Sequence, residues 1–410
     1  MTSDSRQPGY LELISGNINF RRLWLGNVVS LLGDWFNFIA LIALVEELTG
    51  SPFAVGLIFV TKMLPGAIAS PFAGYLVDRF DRRRIMIVCD VLRSVTVLGL
   101  LLVDDSSKIY LVYVLTTVQV IISAVFHPAQ SASIPNVTSK TELLTANAIM
   151  SISWSVMLAL GAAIGGLATD IVGPRDVFVI DSVTYLVSAW FIFRTEIPQS
   201  ISTITGRFWR QSLREVRAGW EYLRQNRFCG KIATTKATWA IAGGGLVYML
   251  ALAGQQLIEG SPEIGIGVLF AARGIGTGVG PVLARAWVTD RSRWPPLLGI
   301  CVVSSGLAYL LFGLLAWTIP IAFLVGIAHS TSGATWVLSS VTLQEKVEDR
   351  FRGRVFATEM LLVLVAETVS TLVAALALQY EILSIRQAII VFAATMTVTG
   401  ALWTVWILRR

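Results

Sequence analysis

Long apolar runs alternate with short polar breaks along almost the whole chain. A helix rises 1.5 Å per residue, so about 20 apolar residues cross the ~30 Å of hydrocarbon in a bilayer. On that measure the runs predict twelve spans, near 24–45, 54–77, 85–103, 109–132, 146–168, 176–193, 232–256, 264–287, 296–316, 319–342, 355–379 and 386–408. Backbone polar groups find no partner in lipid, so spanning segments are helices or closed barrels. Uninterrupted runs of this length lack the alternation of barrel strands. The predicted fold class is therefore an all-α membrane protein.

The longest polar stretch follows the sixth run and divides the spans into two groups of six. The expected organisation is an N-terminal six-helix bundle over 1–195, a cytoplasmic linker over 196–230 and a C-terminal six-helix bundle over 231–410. Within the linker, Trp209, Leu213, Val216, Trp220 and Leu223 recur on one helical face. Arg210, Arg214, Arg217 and Arg224 lie off that stripe, which predicts an amphipathic helix on an anionic leaflet, or a simple tie between the halves. A weak internal repeat supports two pseudo-symmetric bundles. Ser70-Pro71-Phe72-Ala73-Gly74 and Gly280-Pro281-Val282-Leu283-Ala284 each close the second span of a half.

Charge adds orientation. Arg6, Arg21 and Arg22, the Arg79 to Arg84 loop, Lys140, the run from Arg194 through Lys231, Arg285 to Arg293, Lys346 to Arg354 and the terminal arginines fall on one side of a twelve-span reading. Only Lys108, Arg175 and Arg386 fall on the other. Basic loops stay in the cytoplasm, so both termini are expected there. The net charge of +6 is thus a topology signal and gives no reason to expect nucleic acid. A chain that is 55% hydrophobic and 14% charged, with mean hydropathy +0.70, has far too much apolar side chain for a water-soluble fold. Cys89, Cys229 and Cys301 are far apart and have no metal-type spacing. The N-terminal stretch carries Asp4 and Glu12 and shows no removable signal peptide, so the first span is expected to direct insertion.

Ionisable groups at membrane depth are costly, and each is a functional candidate. Asp34 and Glu367 lie deepest and are the proton-coupling candidates. Lys62 or Arg93 is the candidate charge partner of Asp34, and Arg273 is a further buried cation on a glycine-rich face. The alternative for each acid is a permanent ion pair that only fixes packing. Asp90 and Arg93, three apart on one helix face, are placed to neutralise each other. Trp35, Phe38, His127, Trp154, Trp239, His329 and Trp336 are candidates for a cavity wall, with interior packing as the alternative. The chain has no His-Glu-x-x-His, Gly-x-Ser-x-Gly or Gly-x-x-x-x-Gly-Lys, and with two histidines, one per half, an enzyme is not expected.

The loop after the second span reads Gly74-Tyr-Leu-Val-Asp78-Arg79-Phe-Asp81-Arg82-Arg83-Arg84. This is similar to the major facilitator signature, with Asp81 where that family usually has a second glycine. His127-Pro128-Ala129 through Ile134-Pro135, Leu144-Thr-Ala-Asn147, and Leu343-Gln344 followed by Arg352-Gly353-Arg354-Val355-Phe356 extend the resemblance to nearly the whole chain. Together they resemble the drug:proton antiporter branch, which includes macrolide efflux proteins and the enterobactin exporter. The resemblance implies the major facilitator fold and an acidic residue at work in helix one, here Asp34. It also implies a conformational latch joining Gly74, Asp78, Arg79, Arg82 and Arg83 to Arg352, Gly353 and Arg354 in the outward-facing state. Gly161, Gly165 and Gly166 match the small residues of that branch's antiporter motif, although its proline is missing. The expected function is proton-coupled efflux of an amphipathic small molecule, a drug, macrolide or siderophore-like compound, by alternating access. A lipid or lysophospholipid flippase of the same fold is the alternative, and a membrane enzyme or non-transporting receptor is remote. No cofactor beyond the proton gradient is expected. The expected partners are substrate and membrane lipid, for a monomer in a bacterial inner membrane.

Overall fold

The computed structural model describes residues 8–199, 208–288 and 290–409, with the side chains of 67, 70–75, 78, 208–216, 349 and 350 outside that description. The helices are α1 (Tyr10–Gly16), α2 (Ile18–Thr49), α3 (Pro52–Arg79), α4 (Arg82–Leu98), α5 (Ile109–Val137), α6 (Leu143–Phe193) and α7 (Phe208–Gln225). They continue as α8 (Arg227–Ala233), α9 (Thr235–Gln255), α10 (Pro262–Trp287), α11 (Trp294–Leu314), α12 (Ala322–Lys346), α13 (Asp349–Gln379) and α14 (Ile385–Leu408). No strand occurs among the described residues.

Ten helical stretches are long and apolar enough to cross a membrane, and α3 carries a further apolar helix over Pro52–Gly66. One of the ten, α6, is two spans in series. Gly173 breaks it with φ 83° and ψ 161°, and Pro174 follows. That backbone region is open only to glycine, so the fifth and sixth spans turn at the one residue that can adopt it. Among the described residues the chain thus makes the twelve crossings expected from its apolar runs. It is a multi-pass, all-α membrane protein.

Two packing units emerge. The first comprises Met1–Thr49 and Thr61–Gly206, the second Gly50–Val60 and Arg207–Arg410. The chain passes from one unit to the other between Gly206 and Arg207, and the start of α3 belongs with the second unit. There Tyr248 donates its hydroxyl to the Pro52 carbonyl at 2.6 Å, and Ser51 donates to Gln379 Oε1 at 2.7 Å. In the first unit α2 is gripped by both arms of α6. A Cβ on Gly165 would stand 3.1 Å from the Phe36 Cα, and one on Gly26 3.3 Å from the Ser188 carbonyl oxygen. Small residues are what let helices approach this closely in lipid, where no hydrophobic force drives them together.

At the basic loop, Asp81 takes extended backbone angles and accepts a 2.8 Å hydrogen bond from the Arg84 amide. It is the N-cap of α4, which explains how an acid can stand where the family signature has glycine. The linker helix forms as α7, and of the apolar stripe's described side chains Leu223 is packed while Trp220 is not. Tyr222 and Leu223 are buried, and Tyr222 stacks on Phe351 at 4.7 Å, while Trp220 is exposed. Gly219 fits against Thr358 and the backbone of Arg354, so α7 is seated on α13 within the second unit. Trp209, Leu213 and Val216 lie outside the described side chains.

Candidate functional site

Each unit carries its own buried polar cluster. In the first, Asp34 sits half-buried on α2 and accepts a 2.5 Å hydrogen bond from the Tyr185 hydroxyl of α6. Gln119 of α5 donates to that same hydroxyl oxygen at 2.7 Å. Three helices are therefore joined through one phenol, whose proton points at a carboxylate; such charge-assisted bonds are about twice as strong as neutral ones.

Arg93 and Asp90 of α4 are wholly buried and form an ion pair through Nη2 and Oδ1. The guanidinium is sandwiched between the Phe126 ring, 4.1 Å away, and the Tyr185 ring, 4.5 Å away. As the (i, i+3) spacing indicated, Arg93 is tied to Asp90. Asp34 lies within its electrostatic reach, and Tyr185 meets the guanidinium with its ring face and Asp34 with its hydroxyl. The Arg93 Nε and Nη1 atoms have no hydrogen-bond partner in the protein, nor has Asp90 Oδ2. Lys62 lies half-buried on α3 with its ammonium 5.6 Å from the centre of the Phe38 ring, within electrostatic reach of both Asp34 and Asp181. Asp181 is fully buried on α6, where Thr184 donates to it at 3.2 Å and Oδ2 has no hydrogen-bond partner. The cluster therefore holds three carboxylates, Asp34, Asp90 and Asp181, against two cations, Lys62 and Arg93.

In the second unit Glu367 of α13 and Arg273 of α10 lie half-buried within electrostatic reach of each other. Arg273 rests 5.6 Å from the Phe270 ring, and its Nε is unpaired within the protein. The Glu367 backbone is pressed against Gly244 of α9, where a Cβ would come within 2.8 Å of the Glu367 Cα. A second ion pair joins Lys236 of α9 to Glu359 of α13 at 3.1 Å. Lys236 also donates to Ser340 at 2.8 Å and covers Trp336 at 5.1 Å. This cluster balances, with two carboxylates and two cations.

The cavity candidates divide. Trp154 is 46% exposed, His127 is exposed, and Trp35 and Trp336 are half-exposed. Three expectations need correction. His329 is only 2% exposed and hydrogen-bonds Tyr309 at 2.7 Å. Trp239 is 5% exposed and donates its indole N–H to Ser305 at 3.3 Å. Both are interior packing residues with their polar atoms paired, and neither lines an open wall. Phe38 is likewise buried, edge-on to Trp35 at 5.7 Å.

In the signature loop, Gly74 and Asp78 lie on α3, outside the described side chains. Arg82 donates to the Ala132 carbonyl at 2.7 Å and to Asn136 at 2.9 Å. Arg83 donates to the Phe193 carbonyl and lies over its ring. These partners are on α5 and α6 of the first unit, so the arginines, expected to reach across to the second half, here fasten the basic end of their own bundle. Arg79 is exposed. In the second unit Arg352 donates to the Val347 carbonyl at 3.3 Å, Arg354 lies over Phe351, and Gly353 has open space around it.

The sequence pattern of the Major Facilitator Superfamily matches residues 23–263, more than half of the chain. The chain belongs to the Major Facilitator Superfamily. Among curated relatives of this facilitator, the protein named "Putative bacilysin exporter BacE" from Bacillus subtilis is 26% identical over 339 residues, covering 83% of this chain and 84% of that one. Macrolide efflux protein A from Streptococcus pyogenes is 22% identical over 347 residues, 83% of this chain and 84% of the other. A solved POT family transporter in complex with 5-aminolevulinic acid superposes with TM-score 0.76 over 98% of both chains at 11% identity, which reports the shared fold. The facilitator is a transporter, not an enzyme.

Four polar residues of these clusters escaped the sequence reading. Tyr185 and Gln119 are neutral, and nothing in the sequence marks them out from other polar residues of the spans. Asn37 is fully buried three residues beyond Asp34, with neither amide atom hydrogen-bonded within the protein. An amide inside Trp-Phe-Asn-Phe-Ile-Ala-Leu was the available signal. Glu359 stands near the start of its span, where an acid reads as loop-proximal; its pairing with Lys236 shows only once α9 and α13 are side by side.

Proposed function

We propose that this facilitator exports an amphipathic small molecule in exchange for protons by alternating access, with Asp34 as the proton-carrying group. The observation that carries the reading is the unequal charge in the first unit. Arg93 is committed to Asp90, and Lys62 serves two acids, so one carboxylate has no cation of its own. An uncompensated charge in such a setting is strongly unfavourable, and a bound proton or a cationic substrate group relieves it. Asp34 is the acid of that pair open to exchange, being half-buried where Asp181 is sealed. Tyr185 donates a charge-assisted hydrogen bond to Asp34 when the carboxylate is charged, and that bond weakens when Asp34 carries the proton, so the protonation state is passed to α5 and α6. The matched charges of Glu367 and Arg273 support a role for them in packing and substrate contact.

Exporter names among the relatives, for bacilysin and for macrolides, support efflux, and the exposed Trp154 with half-exposed Trp35 and Trp336 suits an amphipathic cargo. The basic loops support an inner-membrane orientation with both termini in the cytoplasm. The test is substrate-driven proton flux in proteoliposomes under an imposed pH gradient, screened with macrolides, peptide antibiotics, siderophores and a labelled phospholipid. Asp34→Asn is expected to abolish proton movement while substrate binding survives, and Glu367→Gln to keep coupling. Undiminished proton flux in Asp34→Asn, or movement of the phospholipid alone, would sink the proposal.

A further inference from the structure

A cavity of about 780 Å³ opens where the end of α7, α8 and the end of α14 meet in the second unit. Its cations are Arg224, Arg227, Lys231 and Arg409, and among the described residues no carboxylate lines it. The nearby acid Glu221 is already engaged by Arg217 at 3.1 Å. Around the cations stand three exposed aromatics, Trp220, Phe228 and Trp406. Lys231 donates to the Trp406 carbonyl at 2.9 Å and to the Arg409 carbonyl at 2.7 Å, closing the end of α14. An ammonium has three donors, so one remains for a ligand. The floor is fixed by Gly230, where a Cβ would stand 2.6 Å from the Leu223 carbonyl oxygen.

We propose that this cavity binds the headgroup of an anionic phospholipid from the leaflet on the basic side of the protein. Four positive side chains around a roomy opening match a phosphate with its glycerol, and guanidinium forks suit phosphate oxygens. A soluble anion has no use for the aromatic rim. Trp and Phe side chains at the ends of spans prefer the boundary between headgroup and acyl chain, which is where Trp406 near the end of α14 and Phe228 at the start of α8 stand. The cavity is thus built for a ligand with an anionic head and an apolar tail. It is separate from both buried charge clusters and stands or falls independently of the transport reading.

The experiment is native mass spectrometry of the purified full-length protein titrated with phosphatidylglycerol or with phosphatidylcholine of the same acyl chains. The wild type is expected to retain phosphatidylglycerol preferentially. Arg224→Gln combined with Arg227→Gln is expected to weaken that binding about thirtyfold, since each basic residue near an anionic surface contributes about a factor of five. Arg224→Lys with Arg227→Lys is expected to restore most of it, and Arg285→Gln, an exposed cation away from the cavity, to leave it unchanged. Circular dichroism of each variant reports that the helices persist. Equal retention of the two lipids, an unaltered affinity in the double Gln variant, or displacement by glycerol phosphate at concentrations equal to the lipid would each overturn the assignment.

Discussion

Arg93 shows how a full charge is kept inside the first unit: one carboxylate partner and two aromatic faces replace water. Removing the partner alone leaves the guanidinium buried without compensation, at a cost of about 3–5 kcal/mol. Asp90→Asn is therefore expected to lower the thermal midpoint of the purified protein sharply, and Asp90→Asn with Arg93→Met to recover most of the loss. Tyr185→Phe is a finer change that strips one hydrogen bond from a carboxylate and another from Gln119, and about 1–3 kcal/mol is expected. Its more telling readout is proton-coupled flux in proteoliposomes, which should fall although Asp34 itself is intact. The charged members of this cluster were legible in the sequence because the bilayer makes ionic groups conspicuous. Tyr185, Gln119 and Asn37 were not, because neutral polar side chains gain their meaning only from neighbours brought together by folding.

At the scale of helices, apolar run length announced every crossing, and the break inside α6 followed from Gly173-Pro174. Gly173→Ala is expected to cost about 1–3 kcal/mol by forcing a side chain into backbone angles it resists, seen as a lowered unfolding midpoint without loss of helix content. Gly244 serves a different purpose, since α9 passes so close to α13 that the Glu367 Cα would lie 2.8 Å from any added Cβ. Gly244→Leu should overpack that crossing by about 1–3 kcal/mol and reduce transport by shifting Glu367, whereas Gly353→Ala, with open space around it, should leave the unfolding midpoint unchanged. The linker was harder to read. Its apolar stripe named Trp220 and Leu223, yet only Leu223 of the two is buried, and the seat on α13 also uses Gly219 and Tyr222. Periodicity locates a greasy face but does not say which part of it a neighbouring helix will cover, and the small residue that permits the contact carries no hydrophobic signal.

For the whole molecule, the distribution of lysine and arginine predicts that the loops after α3, α10 and α12 open to one compartment. Single cysteines placed at exposed positions such as Arg84, Arg293 and Glu345 should all react with an impermeant maleimide from the cytoplasmic side of oriented vesicles, and one at Lys108 from the other side. The boundary between the halves was legible from the polar linker, but the allegiance of the start of α3 was not. That segment is as apolar as its surroundings, and its mooring shows in the partners it meets, Tyr248, Gln379 and Ala375. The helix α3 thus begins in one packing unit and continues in the other. Pro65 and Gly66 follow soon after the changeover, and a proline inside a helix deletes a backbone bond and loosens the turn before it. Lys62 rides on that softened turn, so any flexing of the rod would carry an electric charge toward or away from Asp34, converting bending into a change of field at the acid.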